Sequence, residues 1–180
     1  LTLCDATSAV LAMSLPWKKL DVVTFSWQKV LGGEAQHGIL VMSKRAIDRL
    51  KIYNPPWPIP KLFRITKEGK LQKKIFQGNT INTPSLICIE DAIDALNWVK
   101  KIGGLNEMIN RSINNLKIIE IWVSNTKWID FVAEKKETRS STSICLKIVD
   151  PWFNSLSNED KINIIQFISK NLAKNKVAYD

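Results

Sequence analysis

The sequence predicts an α/β protein, and two observations support this class. Three short runs rich in β-branched and aromatic residues, separated by turn residues, stand near the start of the chain, at 1–5, 20–27 and 37–43. Runs of this kind are typical of strands in a buried sheet. Longer segments follow in which apolar residues recur at helical spacing behind residues that favour a helix start. Strands and helices in this arrangement predict a sheet domain with a smaller part beside it.

The first elements after the strands can be assigned from their capping residues. A helix should begin behind Ser43, because a serine hydroxyl accepts an N–H bond from the first helical turn. The segment Asn54–Lys74 is rich in proline and lysine, and we expect a long ordered loop there. The next helix should have Thr83 as its N-cap, Pro84 at its first position and Gly103 as its stop.

The second part of the chain predicts an α+β arrangement. Its elements are a helix over 105–125, a strand over 141–150, a helix over 157–175 with a Ser157 and Asp160 capping signal, and a strand that starts at 176–180. We expect residues 1–103 to close a large domain and residues 104–180 to belong to a smaller one. Because the chain opens within one strand pattern and stops within another, we also expect a piece of a longer protein.

The composition argues against several classes of partner. Lys and Arg number 26 against 17 acidic residues, a net charge of +9 that permits a nucleic-acid partner. The basic residues are spread along the predicted helices without a nucleic-acid motif, so we expect no such partner. No apolar run approaches the ~18 residues of a membrane helix. Cys4, Cys88 and Cys145 fit neither a disulfide framework nor a zinc motif, which predicts a cytoplasmic protein without a bound metal.

Two charged residues stand where predicted strands end. Asp5 closes the first strand, and Lys29 follows the second strand directly before the glycines Gly32 and Gly33. The distance along the chain leaves room for a crossover between parallel neighbours, whose carboxyl ends would share the ligand-binding edge of the sheet. A plain ion pair between Asp5 and Lys29 would explain the same pattern.

A sharper chemistry also requires an aspartate and a lysine in one crevice. A lysine amine condenses with an aldehyde cofactor to a Schiff base, and a carboxylate keeps the pyridine nitrogen of such a cofactor protonated. Glycines beside the lysine would let the backbone approach the cofactor closely. The pattern therefore suggests a cofactor site as the alternative to an ion pair.

Three motifs in order resemble the phosphoserine aminotransferase family. They are "DATSA" at 5–9, "TFSWQKVLGGEAQHG" at 24–38 and "GNTINTPS" at 78–85, and the likeness continues through "PPWPIPKLFR" and "TRSSTSICLKIVDPWF". The family belongs to class V of the pyridoxal-phosphate enzymes of fold type I. The resemblance implies the C-terminal part of the large, mainly parallel-sheet domain and part of the small α+β domain.

The resemblance also assigns roles to single residues. It implies that Lys29 binds pyridoxal 5'-phosphate, that Gln28 contacts the cofactor phosphate, and that Asp5 pairs with the pyridine nitrogen. Asn82 and Thr83 would contact the phosphate of the neighbouring subunit's cofactor, which implies a homodimer with shared active sites. Thr83 could equally be a simple helix cap, and both roles are compatible because a helix start is itself a phosphate site.

Arg64 is the best substrate candidate in the basic run 61–74, since a guanidinium fork suits a phosphate. A solvated, lysine-rich loop would explain this run as well. The single histidine, His37, is expected to be packed or hydrogen-bonded rather than catalytic. The family's substrate-carboxylate arginine is expected beyond Asp180, and Arg139 does not stand in that motif. We therefore expect residues 1–180 alone to be inactive.

The family's activity transfers an amino group between L-glutamate and 3-phosphohydroxypyruvate, giving O-phospho-L-serine and 2-oxoglutarate. The resemblance thus implies a place in serine biosynthesis and, through the same family, in pyridoxine biosynthesis. The alternatives are another class V transaminase, of the alanine–glyoxylate or serine–glyoxylate type, and a basic nucleic-acid-binding module. A spectrum of bound cofactor would exclude the nucleic-acid-binding module. The C-terminal region with the substrate-carboxylate arginine, and an assay of whether activity depends on the substrate phosphate, would separate the two kinds of transaminase.

Overall fold

The fold is given by a computed structural model that describes residues 1–177. It divides into two compact units, Leu1–Ile113 and a second that begins at Asn114. The sequence predicted a domain boundary at Gly103–Gly104, and that boundary stays a prediction. The strand expected at 176–180 lies largely outside the described residues.

A three-stranded sheet organises the start of the first unit. Its strands are β1 Leu3–Asp5, β2 Val22–Phe25 and β3 Ile39–Met42, in the order β1-β2-β3. β1 and β2 are parallel, whereas β3 is antiparallel to β2. The three predicted strands and the parallel first pair are confirmed. Ala6, Ala12 and Val23, each at most 2% exposed, form the buried part of this region.

Three helices lie in the segments where the sequence predicted helices. They are α1 Lys44–Ile52, α2 Leu86–Ile102 and α3 Gly104–Ser124. Ser43 caps α1 as predicted, since its hydroxyl accepts the N–H of Ala46 at 3.1 Å. Gly103 ends α2 with a φ of 120°, a backbone conformation that L side chains rarely adopt. The predicted start of α1 at Ser43 and the predicted end of α2 at Gly103 are therefore confirmed.

The predicted start of α2 is wrong by two residues. Ser85, not Thr83, is the N-cap, and its hydroxyl accepts the N–H of Cys88 at 3.5 Å. Both residues have side chains suited to capping, so local propensity does not choose between them. Ser85 makes the capping bond, and Cys88, Ala92 and Val99 are the buried residues of the helix that follows.

The segment predicted as a long loop contains short regular elements. Two short strands, β4 Thr66–Lys67 and β5 Lys70–Leu71, form an antiparallel hairpin. Its turn residues, Glu68 and Gly69, have φ values of 51° and 71°. Positive φ at both central residues is the geometry of a tight hairpin turn, but glutamate is a poor signal for it. The long ordered loop expected here therefore contains a short hairpin that the sequence did not predict.

Asp21 connects the sheet to α1 through four hydrogen bonds. Its carboxylate is buried, and it accepts the N–H of Thr2 and the hydroxyl of Ser43, each at 2.8 Å. Arg45 donates its Nε at 3.0 Å and a second guanidinium N–H. These bonds, that of Arg45 foremost, hold the pKa of Asp21 well below its ordinary value. The carboxylate of Asp21 thus holds together the residue before β1, the residue after β3 and the start of α1.

The second unit contains the end of α3, a strand pair and two more helices. Its elements are β6 Ile129–Phe131, β7 Leu146–Ile148, α4 Pro151–Ser155 and α5 Asn158–Lys174, and the two strands are antiparallel. Ser157 caps α5 as predicted, accepting the N–H of Asp160 at 3.1 Å. Arg139 donates to Glu120 at 3.1 Å and lies 3.9 Å from the centre of the Phe131 ring. Arg139 is therefore engaged in contacts within this unit.

Residues 1–177 contain neither a membrane-spanning helix nor a cluster of metal-binding side chains. No helix there is both long and apolar enough to cross a bilayer. No group of three or more His, Cys, Asp or Glu residues in this range has the arrangement of a metal site.

Candidate active site

Lys29 lies on a turn that is closed at its base. The N–H of Gly33 donates to the carbonyl of Trp27 at 2.9 Å, and the N–H of Gly32 donates to the carbonyl of Lys29 at 3.0 Å. Gly32 has a φ of 68°, which explains a glycine at that position. Lys29 itself is exposed. The sequence after β2 thus folds into a compact turn that leaves the lysine amine accessible.

Gly33 is required for a different reason, namely close packing. A Cβ atom at Gly33 would lie 2.6 Å from Cδ1 of Trp27 and 3.3 Å from its Nε1. The indole of Trp27 in turn meets the ring of His37 edge-on, with centroids 5.3 Å apart and planes at 61°. The expectation of a packed histidine is confirmed, and Trp27 is a site residue that the sequence reading missed.

Asp5 lies at the end of β1, beside the start of the lysine turn. It is paired in register with Thr24 of β2, and the N–H of Ala6 donates to the Thr24 carbonyl at 2.8 Å. Oδ1 of Asp5 accepts both the hydroxyl of Thr7 at 2.6 Å and its N–H at 3.0 Å. These two bonds lower the pKa of Asp5, so its carboxylate is ionised at neutral pH. The bonds of this carboxylate are to Thr7, so the ion-pair alternative with Lys29 is not what the structure has.

Several buried polar atoms without a hydrogen-bond partner lie in and beside the lysine turn, residues 27–33. Within residues 1–177 these include Ser26 Oγ, Trp27 Nε1, Gln28 Oε1 and His37 Nδ1. An unsatisfied buried polar group costs about 1–3 kcal/mol, so native proteins keep few of them without a functional reason. All four belong to the strand end and loop that carry Lys29. Unpaired polarity therefore accumulates around the one lysine that the motif singles out.

These atoms fit a phosphate-bearing group. A serine hydroxyl and an indole N–H are donors, and phosphate oxygens are acceptors. Rotation of the Gln28 amide by half a turn would present its NH₂ in place of Oε1. The donor chemistry at Ser26, Trp27 and Gln28 thus agrees with the cofactor that the motifs imply.

Asn82 and Thr83 are exposed and stand ahead of α2. Because Ser85 takes the capping role, the Thr83 hydroxyl is not used to start the helix. No hydrogen bond within residues 1–177 joins Asn82 or Thr83 to the lysine turn. Their predicted role at a cofactor phosphate stays a prediction.

Arg64 belongs to a separate cleft. Nε of Arg64 donates to the carbonyl of Ile59 at 2.6 Å, and Nε2 of Gln72 donates to the backbone carbonyl of Arg64 at 2.9 Å. A cleft of about 550 Å³ lies beside it, and its lining residues fall within 50–69. Trp57 and Phe63 are among them. No residue of the lysine turn lines this cleft, so the structure of the chain does not bring Arg64 to Lys29.

Comparison with known proteins gives two curated relatives over the whole chain. Both are phosphoserine aminotransferases, from Methanosarcina barkeri and Methanosarcina mazei, and each is 54% identical over 180 residues. The alignment covers 100% of this chain and 46% of each relative. The chain therefore spans about half the length of the curated relatives it matches. No protein-family model matches it.

Solved structures share the fold at low sequence identity. A pyridoxal-phosphate-bound phosphoserine aminotransferase from Trichomonas vaginalis matches with a TM-score of 0.67 and 18% identity, over 97% of this chain and 44% of that one. A phosphoserine aminotransferase from Cytophaga hutchinsonii matches with a TM-score of 0.65 and 20% identity, over 82% of this chain and 40% of that one. An alanine–glyoxylate aminotransferase from Nostoc sp. matches with a TM-score of 0.65 and 17% identity, over 83% and 38%.

These structures confirm the predicted fold, that of the pyridoxal-phosphate-dependent aminotransferases. They do not choose between members of class V, because the alanine–glyoxylate enzyme matches as well as the others. The sequence makes that choice. Over its whole length the chain is 54% identical to two phosphoserine aminotransferases, so its sequence is similar to that family at far higher identity than to the alanine–glyoxylate enzyme.

Proposed function

We propose that the protein containing this chain is a phosphoserine transaminase. It would transfer the amino group of L-glutamate to 3-phosphohydroxypyruvate, giving O-phospho-L-serine and 2-oxoglutarate. One observation carries the proposal: an exposed lysine on a glycine-closed turn follows the strand that pairs with the strand ending at Asp5, on a chain 54% identical to enzymes of that name.

Lys29 would hold pyridoxal phosphate and later move a proton. When bound, this cofactor withdraws electrons from the α-carbon of the amino acid. The amine of Lys29 would hold it in the resting enzyme. The same amine would take the α-proton of the amino acid as a general base. Its exposed position at the turn suits both tasks.

Asp5 would hold a proton at the pyridine nitrogen. Both of its bonds to Thr7 go to Oδ1, which leaves Oδ2 to accept a ring N–H. Because these bonds favour the carboxylate form, Asp5 would stay anionic while it faces a protonated nitrogen. Gln28 and Ser26 would provide hydrogen bonds to the cofactor phosphate from the start of the same turn.

We also propose that two copies of the protein share their active sites. Asn82 and Thr83 would contact the phosphate at the partner's lysine. Three points support this: their exposure, the absence of a bond to their own lysine turn within residues 1–177, and the partial positive charge at the start of α2. The substrates would be small molecules. A cytoplasmic location is consistent with Cys4, Cys88 and Cys145 all being free thiols.

A paired acceptor assay tests the proposed function. The full-length protein is supplied with pyridoxal phosphate and L-glutamate, and 3-phosphohydroxypyruvate and glyoxylate are compared as amino acceptors. We expect O-phosphoserine to form with a kcat/KM at least tenfold above that for glyoxylate. Preference for glyoxylate would assign the protein to the other class V transaminases. A protein that binds no cofactor but binds DNA in a steeply salt-dependent manner would support the nucleic-acid alternative.

A further inference from the structure

We propose that Trp27 and His37 are positioning residues that set the geometry of the turn carrying Lys29. The proposal extends the proposed function, because it takes Lys29 as the reacting amine. The contacts on which it depends exist independently of that role. The indole of Trp27 would act as a wedge at the base of the turn, and His37 would hold the indole in place.

The first step of the argument is the double link between Trp27 and Gly33. Their main chains are joined by the 2.9 Å bond from the Gly33 N–H to the Trp27 carbonyl. Their surfaces are also in contact, since an added Cβ at Gly33 would lie 2.6 Å from the indole. Lys29 lies between these two residues in sequence. Any displacement of the indole therefore changes the base on which the lysine turn is built.

The second step is the contact that holds the indole. His37 stands just before β3, while Trp27 stands just after β2. Their rings meet edge to face at 5.3 Å, a favoured arrangement for aromatic rings. This ring pair thus joins the two ends of the segment that connects β2 to β3. Without it, the 27–33 turn would be held mainly by its own two backbone bonds.

The third step is a prediction that a general destabilisation would not produce. The φ of Gly33 lies outside the left-handed region, so its backbone accepts an alanine, and the three atoms nearest to the new methyl would all belong to Trp27. Gly33→Ala should therefore act through the indole. Gly38 gives a matched control in the same connection, because a Cβ there would meet nothing within 4 Å and its φ is also ordinary.

The experiment uses full-length protein and two measurements. Hydrogen exchange of the Gly32 amide, in protein without cofactor, reports on the turn itself. We expect Trp27→Ala, Gly33→Ala and His37→Ala each to speed this exchange by tenfold or more, while Gly38→Ala stays within twofold. His37→Phe should restore slow exchange, because it keeps the ring contact. In the transaminase assay the same three variants should lower kcat more than they change KM.

A double variant and the separation of the two readouts make the test decisive. Gly33→Ala should add nothing in a Trp27→Ala background, since the atom it meets is gone. Slow exchange in Gly33→Ala, or equal losses in Gly38→Ala, would overturn the proposal while leaving the transaminase assignment intact. Conversely, faster exchange in a protein without transaminase activity would support the wedge and refute the proposed function. If Trp27→Ala does not fold, Gly33→Ala alone decides.

Discussion

Asp5 and Thr24 occupy matched positions on the parallel strands β1 and β2, and the next amide along, Ala6 N–H, donates to the Thr24 carbonyl at 2.8 Å. The two strands therefore reach the same edge of the sheet together. At this edge β2 leads into the turn that carries Lys29. The end of β1 carries Asp5, whose carboxylate accepts the two bonds from Thr7. The pairing of β1 with β2 thus places the carboxylate of Asp5 and the turn of Lys29 after neighbouring strands.

Replacement of Lys29 should remove covalent cofactor attachment. Lys29→Ala leaves no amine on the turn, so we expect loss of the visible absorption band of bound cofactor and a fall in turnover of about 10³-fold or more. Borohydride reduction followed by peptide mass spectrometry measures the attachment site. Lys44→Ala, at an exposed residue that starts α1, is the control and should behave as wild type. A reduced adduct that persists on another lysine of the Lys29→Ala protein would show that the wrong residue was chosen.

Replacement of Asp5 should uncouple binding from catalysis. Asp5→Asn keeps the shape but cannot hold a proton at the pyridine nitrogen, so we expect retained cofactor and turnover slower by several orders of magnitude. Single-turnover absorbance measurements separate these two effects. Near-normal turnover would remove Asp5 from the mechanism.

Thr7→Val tests the Asp5 pKa directly. The Thr7 hydroxyl makes the largest contribution to lowering the pKa of Asp5, so its loss should raise that pKa. The acidic limb of the activity profile should then move to higher pH, because the carboxylate is protonated earlier on acidification. A pH–rate profile of kcat checks this, and an unchanged acidic limb would show that another group controls it.

The Asp21 network should contribute to stability in a pH-dependent manner. Its pKa is lower in the folded protein than in the unfolded chain, where aspartate titrates near ~3.9. The contribution is therefore complete above about pH 5 and is lost as the pH falls further. We expect Asp21→Asn to lower Tm by several degrees at neutral pH and to reduce the loss of Tm on acidification. Asp48→Asn, whose ion pair with Lys51 is exposed, should change Tm much less, and equal effects of the two substitutions would contradict the assignment.

Asn82 and Thr83 should act across a subunit interface. Chains with Lys29→Ala are mixed with chains carrying Asn82→Ala and Thr83→Ala, and heterodimers are isolated. If the residues serve the partner's lysine, one site of each heterodimer is damaged twice and the other is intact. Activity should then recover toward half of the wild-type value from two poor parents. Heterodimers that form but recover nothing would place both residues beside the lysine of their own chain.

Local patterns were sufficient for the elements whose signals lie within a few residues. The β-branched runs determined β1, β2 and β3, and single capping residues determined the starts of α1 and α5. Gly103 determined the end of α2. Each of these signals acts through bonds or sterics within one turn of the backbone, so it operates before any tertiary contact forms. The motifs around Asp5 and Lys29 were equally local, which is why their resemblance to a family was visible in the sequence.

Tertiary structure decided the features that join distant residues. Asp21 comes within bonding distance of Thr2 and Arg45 only when the three strands and α1 have assembled. The spacing of these residues in the sequence does not predict the bonds. Ser85 and not Thr83 is the cap of α2, although both side chains are suited to capping, so local propensity did not choose between them. The wedge of Trp27 between Gly33 and His37 likewise depends on both ends of a strand connection arriving together. A residue type states what bonds a side chain can make, but only the packed chain decides which partner comes within reach.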